Sequence, residues 1–400
     1  MSSSPRTLAI LGSTGSIGTQ ALQIVAAHPD RFRVVALAAG SNAALLAQQA
    51  AATGASHLGL AQHDAGSALS EHLSSVGLDS RELEVHLGPD AAAEIAALEV
   101  DMVLNGMTGS IGLKPTLAAV ERGTTVALAN KESLIVGGEL LRGAVESGLI
   151  LPVDSEHSAL WQAMTSGTKE EIARLILTAS GGPFRGRSAA ELAEVTPAQA
   201  LAHPTWNMGR VVTTNSATMV NKALEVIEAH LLFSIPLERI DVVVHPQSVV
   251  HSMVQYVDGS ILAQASPPDM RLPIALALGH PERVPEATQP CDFAQAVSWS
   301  FEPLDEQVFG AVRLAKQAAA ASGTHMAVYN AANEQAVEAF HEGRLGFLEI
   351  LQTVDGALQD YAPQHQTPGS GLTLEAVLEA ERWARTRAEE LIRAASEVRA

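Results

Sequence analysis

The chain has 400 residues, 47% of them apolar, with 25 Lys plus Arg against 44 Asp plus Glu and a formal net charge of −19. That length calls for two or three domains, and the apolar content excludes a disordered chain. The negative charge excludes a nucleic-acid partner, whose phosphates need a basic face, but leaves room for a small anion in a local pocket of Lys, His and backbone N–H groups. No uninterrupted apolar run approaches the roughly 20 residues of a membrane span, so no membrane partner is expected. The N-terminal MSSSPRT lacks the apolar stretch of a secretion signal and reads as a short frayed tail. The single cysteine, Cys291, rules out an internal disulfide and fits a reducing, cytoplasmic setting.

In chain order, residues 8–11 read as a strand, 12–18 as the glycine turn GSTGSIG and 17–27 as a helix. Strand, turn and helix in succession let backbone approach a pyrophosphate at a helix N-terminus, although the spacing GxxGxxG also serves as a purely structural turn. Pro29 closes the helix, and Phe32–Ala39 is a second strand ending in Gly40-Ser41-Asn42. No acidic residue stands there to hold the ribose hydroxyls of NAD. Small polar residues leave space for a 2′-phosphate and so favour NADP, with no Arg or Lys at the turn to grip it.

A helix at Ala43–Thr53, a strand at 100–104, a glycine-rich turn at 105–112, a helix at 115–123 and a strand at 124–128 continue a βαβ series. Such a series makes a mostly parallel sheet with helices on both faces. The strand at 124–128 ends in Ala129-Asn130-Lys131-Glu132-Ser133, at the edge where open α/β sheets bind ligands. Lys131 there is an anion or substrate contact, or else a solvated lysine. The strand at 149–153 delivers Asp154 and Glu156 in LPVDSEH. In extended chain, residues two apart face one side, so both acids can address one point. Paired like charges call for a cation or a shared proton, or they are solvated on a polar turn. Such oxygen ligands suit magnesium or manganese rather than zinc. Ser155 adds a hydroxyl between the acids, and His157 reads as a core residue or a ligand.

Residues 174–179 form a strand running into SGGPF, where Ser180 and two glycines make an anion-lining loop or a plain turn. Residues 202–210, AHPTWNMGR, set Trp206 among Pro, Gly and Asn. The loop is a lid over a ligand with His203 inside it, or a loop anchored in the core. Residues 216–233 read as one amphipathic helix with Ser216 as N-cap. Asn221, Lys222 and Glu225 lie within one turn, a patch that can hold an anion and a metal or be an ordinary ion-paired surface. A strand at 241–244, a hairpin at 256–264 turning at Asp258-Gly259, and strands near Ile176 and Val212 make a second, smaller sheet. His251 falls in the intervening HPQSVVHSMV. Residues 281–305 read as a linker. Four helices follow, at 308–321, 327–342, 347–357 and 374–398, with residues 330–334 as an exposed or interface polar patch.

Eight segments, GSTGSIG, LANKESL, LPVDSEH, SGGPF, HPTWNMG, NSATMVNKALE, HPQSVVHSMV and PPDMR, resemble in order those of the 1-deoxy-D-xylulose 5-phosphate reductoisomerase family, over nearly the whole chain. The resemblance implies conversion of 1-deoxy-D-xylulose 5-phosphate to 2-C-methyl-D-erythritol 4-phosphate. NADPH and a divalent cation are required, in an early step of non-mevalonate isoprenoid synthesis carried out by a cytoplasmic homodimer. With the element order it implies an α/β chain. A Rossmann-like dinucleotide-binding domain occupies 1–153. An α+β catalytic and dimerisation domain occupies 154–285 with a lid at about 200–210, followed by a linker at 286–312 and a helical bundle at 313–400.

By match, the implied metal ligands are Asp154, Glu156 and Glu225, for manganese or magnesium with cobalt as an alternative. Lys131 and Ser155 are implied to contact the substrate. Ser180, Ser216, Asn221 and Lys222 would hold its phosphate, with His203 contributing from the lid and Trp206 as the cover. NADPH would meet Thr14, Gly15, Ser16, Ile17, Gly40, Ser41, Asn42, Asn130, Glu132 and Gly209. His157 and His251 fall at positions associated with activity. Ser41 and Ala223 depart from the family, where a basic residue and a glycine are common. Two rivals remain: a metal-independent dehydrogenase leaves the three carboxylates unexplained, and a non-catalytic NADPH sensor needs neither lid nor phosphate pocket.

Overall fold

The computed structural model describes residues 4–206, 208–361 and 371–399. The first three residues of the expected tail and Asn207 of the expected lid lie outside the described residues. The chain forms two compact units, and neither is contiguous. The first comprises Met1–Ser133, Gly143–Ser158 and Asp269–Gln289, the second Leu134–Arg142, Ala159–Pro268 and Pro290–Ala400. Asp269–Gln289, read from sequence as central domain and linker, therefore belongs with the N-terminal unit.

The first unit is built on seven parallel strands, β1 (Arg6–Leu11), β2 (Phe32–Ala39), β3 (His57–Leu60), β4 (Glu84–Leu87), β5 (Met102–Asn105), β6 (Thr125–Leu128) and β7 (Ile150–Pro152). Their order is β4-β3-β2-β1-β5-β6-β7. Strands covered on both faces read as continuous apolar runs, and Leu8, Ala9, Ile10 and Leu11 of β1 are fully buried. The order reverses between β1 and β5, which opens a crevice beyond their carboxyl ends. β3 and β4 escape a periodicity reading because they are four residues long and carry His57, Glu84 and His86. The returning segment contributes the helix Arg271–Gly279. The Arg6 guanidinium donates to the carbonyls of Leu278 (2.5 Å) and His280 (2.9 Å), and Arg31 to that of Arg283 (3.0 Å).

The second unit holds a mixed sheet of β8 (Ile172–Ala179), β9 (Ile240–Val244), β10 (Val250–Tyr256), β11 (Ile261–Ala265) and β12 (Glu302–Pro303), ordered β11-β10-β8-β9-β12. The β10–β11 hairpin turns at Asp258-Gly259, as read from sequence. β12 pairs with β9, so the end of the expected linker is a strand. Val212 is not in a strand but in the helix Arg210–Ala217. The single helix expected at 216–233 is two. Met219, at φ +63°, takes the left-handed conformation and breaks the run before Val220–Phe233. Ser216 therefore sits in the last turn of the first helix instead of capping the second. Of the expected polar patch, Asn330 and Asn333 are buried, and Asn333 donates to Asn215 at 3.0 Å. Among the described residues, no helix is long and apolar enough to cross a membrane.

Candidate functional site

In the first unit, the turn after β1 is shaped by its glycines. Gly12 has φ +73°, and a Cβ on it would stand 2.7 Å from the Gly106 carbonyl oxygen. A Cβ on Gly18 would meet Ser13 Cα at 2.4 Å, so the helix Ser16–Ala27 can close onto the turn only without one. Gly15 occupies the N-cap position, and no side chain there satisfies the first N–H groups. These groups offer donors and a positive dipole end to an anion. Thr14 and Ile17 are half-buried, and Gly15 and Ser16 are exposed. Beyond the neighbouring strand β2, Gly40, Ser41 and Asn42 are exposed at the same carboxyl edge, where Asn42 caps Ala43–Thr53 by accepting from Leu45 N at 3.1 Å.

Asn130 follows β6 and is fully buried. Its Oδ1 caps the helix Lys131–Glu146 by accepting from Ser133 N (3.0 Å). Its Nδ2 lies against the carbonyls of Met107 (3.1 Å) and Gly109 (2.9 Å) and Glu132 Oε2 (3.0 Å). The Asn130 side chain is thus a structural hub, which leaves the backbone of this residue for the expected cofactor contact. Sequence reasoning missed its companion, Asn105. This buried residue donates to the Gly112 carbonyl (3.1 Å) and Thr116 Oγ1 (2.9 Å). An asparagine ending a strand before a glycine-rich turn was the available signal.

Lys131 is the first residue of the capped helix, and its ammonium meets Asp154 Oδ2, with the two side chains only 11% and 12% exposed. A solvated lysine is thereby excluded. β7 ends at Pro152, and Asp154 takes the N-cap position of the helix Ser155–Met164, its carbonyl accepting from Ser158 N at 2.9 Å. Glu156 consequently stands in the first helical turn, and strand alternation is not what orients the two acids. Ser155 Oγ donates to Glu156 Oε2 at 2.5 Å. His157 is fully buried, with Nδ1 3.9 Å from Asp154 Oδ2.

In the second unit, Ser180 follows β8. Its Oγ accepts from Gly182 N (3.1 Å) and lies 3.0 Å from His203 Nε2. His203 Nδ1 accepts from Thr205 N (3.1 Å) and Trp206 N (2.9 Å), which leaves the proton of the neutral ring on Nε2, donating to Ser180. Burial pushes this imidazole below its ordinary value of 6.5. The lowered value means that His203 contributes stability in full above about pH 6.5. That contribution is lost as pH falls through the folded value. Carbon-detected NMR of the His203 ring is expected to titrate below the ordinary imidazole range; a midpoint at or above it would contradict the Nδ1 acceptor arrangement.

The glycines of SGGPF have φ +83° and +65°, and a Cβ on Gly182 would stand 2.9 Å from the Ser216 carbonyl oxygen. The loop therefore lies against the turn that carries Ser216. Because the helix restarts after Met219, Asn221 and Lys222 fall in a first helical turn, where the dipole favours an anion. Lys222 Nζ pairs with Glu225 Oε2, and Asn221 Nδ2 donates to Glu225 Oε1. The Lys222 and Glu225 side chains are 5% and 1% exposed, which excludes an ordinary surface pair. Ala223 is fully buried. The Trp206 ring lies 6.2 Å from that of buried His251, tilted 55°. His251 Nε2 is 3.2 Å from the Ser266 carbonyl oxygen. Gly209 is the N-cap residue of Arg210–Ala217. Hydroxyls, amide, ammonium and helix-start N–H groups suit a phosphate, while a carboxylate with hard oxygen donors suits magnesium or manganese.

Residues 8–138 match the family described as 1-deoxy-D-xylulose 5-phosphate reductoisomerase, residues 150–233 its C-terminal domain and residues 265–387 the DXP reductoisomerase C-terminal domain. The chain is 62% identical over 387 residues to the 1-deoxy-D-xylulose 5-phosphate reductoisomerase of Paenarthrobacter aurescens, spanning 96% of this chain and 97% of that one. It is similar to the solved Zymomonas mobilis reductoisomerase in complex with NADPH, at a TM-score of 0.87, 43% identity and coverage of 97% and 99%. A second solved reductoisomerase, in complex with NADPH, fosmidomycin and magnesium, gives a TM-score of 0.91, 37% identity and coverage of 97% and 98%.

Proposed function

The chain belongs to the 1-deoxy-D-xylulose 5-phosphate reductoisomerase family, and from that premise we propose how its residues carry out the family reaction. It is an NADPH- and divalent-metal-dependent oxidoreductase that isomerises and reduces 1-deoxy-D-xylulose 5-phosphate to 2-C-methyl-D-erythritol 4-phosphate in isoprenoid precursor synthesis. When bound, the cation supplies Lewis-acid polarisation of substrate oxygens, and NADPH supplies the hydride. Asp154, Glu156 and Glu225 hold the cation, and manganese or magnesium fits their all-oxygen donor set. The observation that carries this reading is Glu225, a carboxylate 1% exposed that lies beside the Lys222 ammonium.

Lys131 balances the charge of Asp154 and, with Ser155, orients the substrate. Ser180, Ser216, Asn221, Lys222 and His203 hold the phosphate, which gives remote binding energy to spend on positioning the reacting carbons. Trp206 covers the substrate and excludes water, with His251 behind its ring; buried His157 sets the surroundings of Asp154. Residues 14–17 and 40–42, the Asn130 backbone, Glu132 and Gly209 receive NADPH. The working form proposed is a cytoplasmic homodimer, the arrangement that family resemblance implies.

The decisive assay follows NADPH absorbance with 1-deoxy-D-xylulose 5-phosphate, with and without manganese. Oxidation is expected only with the cation and stops on chelation; oxidation that survives chelation supports a plain dehydrogenase, and bound NADPH without turnover supports a sensor. Gly18→Ala is expected to weaken NADPH binding at least about tenfold, because the added methyl must displace backbone at Ser13. NADPH fluorescence titration reads this, and unchanged affinity would remove the turn from the nucleotide site.

A further inference from the structure

At the β4 edge of the first sheet, two histidines and a glutamate converge. His57 and Glu84 are register partners on β3 and β4, and Gly59 and His86 form the next pair on the same face. Gly59 leaves the fourth corner of this block without a side chain, and a Cβ there would crowd Ile95 at 3.0 Å. The helix that carries Ile95, Ala91–Ala96, also brings Glu94, whose Oε2 holds His86 Nδ1 at 2.7 Å. That contact fixes the His86 ring with Nε2 toward Glu84. His57 Nδ1 lies 3.3 Å from Glu84 Oε2, and His86 Nε2 lies 3.5 Å from Glu84 Oε1. Both nitrogens are shut off from solvent, and neither makes a hydrogen bond. One ligand atom from each of the three residues lies within 4.8 Å of the others.

We propose that His57, Glu84 and His86 form a second metal site, selective for a borderline transition cation of the zinc, nickel and copper class. Metal–ligand bonds of about 2.0–2.1 Å give a tetrahedral ligand–ligand edge of roughly 3.3 Å, which matches His57 Nδ1 to Glu84 Oε2, while His86 Nε2 faces the other oxygen of the same carboxylate. Two imidazoles with one carboxylate favour such a cation over magnesium, which prefers oxygen alone. The carboxylate behind His86 is the partner a ligating imidazole commonly uses to set its tautomer and orientation. A cation here ties the edge strand β4 to β3.

The test uses the untagged full-length chain, stripped with chelator, dialysed and titrated with zinc by calorimetry. His86→Gln is expected to lose one zinc from the wild-type stoichiometry while keeping manganese-dependent turnover within about twofold. Glu94→Gln is expected to keep the site but weaken it roughly 10–100-fold. Cobalt is expected to give tetrahedral visible absorption in the wild-type chain and none in His86→Gln. Equal zinc stoichiometry and cobalt spectra in the two chains overturn the site and reduce its contacts to imidazole–carboxylate ion pairs. Should His86→Gln not fold, Glu84→Gln at the exposed corner must show the same loss for the site to stand.

Discussion

Glu225→Gln is expected to lower turnover by about a thousandfold while leaving NADPH affinity within about twofold. The change keeps the size of the side chain and a partner for Asn221 but removes the charge offered to the cation. Loss of one electrostatic stabiliser in a dry site costs on the order of 10²–10³ in rate, and a charged metal ligand belongs at the upper end. Lys222, 5% exposed, then loses the Glu225 charge, at a stability cost of about 3–5 kcal/mol. Activity and stability must therefore be read separately. Lys222→Met on the Glu225→Gln background is expected to recover much of the melting temperature and none of the turnover. Retained metal-dependent turnover in Glu225→Gln would remove Glu225 from the cation site.

The second large effect is on stability. Asn130→Ala is expected to cost about 3 kcal/mol, read by urea unfolding with a probe in the first unit. The substitution removes the helix cap and leaves the carbonyls of Met107 and Gly109 without the amide that serves them. A cap contributes about 1 kcal/mol, and each buried polar group left unpaired costs about 1–3 kcal/mol. Asn130→Asp separates the two parts. It keeps the acceptor for Ser133 N but turns an oxygen on the two carbonyls, so it is expected to be no better than alanine. Lys131 stands directly after the cap, so turnover falls as well. A cost below about 0.5 kcal/mol for both variants would refute the hub.

Much of this arrangement was legible in the chain. The apolar runs of β1, β2, β5 and β6, the glycine turn at 12–18 and the ordered motifs placed the dinucleotide unit and the candidate residues. What escaped were decisions made by tertiary contact. Thr218-Met219 contains neither Gly nor Pro, so nothing local announces that Met219 enters the left-handed region and splits one helix into two. Asp154 and Glu156 were read as alternating on a strand because β7 stops only at Pro152, and the helix start at Ser155 reverses that geometry. Asn333 was read as part of an exposed or interface face because polar residues at a helical spacing usually are; its partner Asn215 lies 118 residues away. Asn130 was expected to meet NADPH, and nothing in its sequence context shows that its amide also ties Met107, Gly109 and Ser133 together.

The return of Asp269–Gln289 to the first unit has a consequence for the making of the protein. A ribosome delivers β1 through β7 well before it delivers the helix Arg271–Gly279, whose Ile274, Ala277 and Leu278 are fully buried once docked. That helix packs against Ser16–Ala27, β6 and β7, and Arg6 waits 272 positions for its carbonyl at Leu278. Until then the nascent chain carries an uncovered apolar flank, the condition under which growing chains engage chaperones or aggregate. Synthesis halted at residue 153 would thus release every strand of the sheet and still not a finished module, and the order of translation obliges the N-terminal half to wait for residues 269–289 before it can mature.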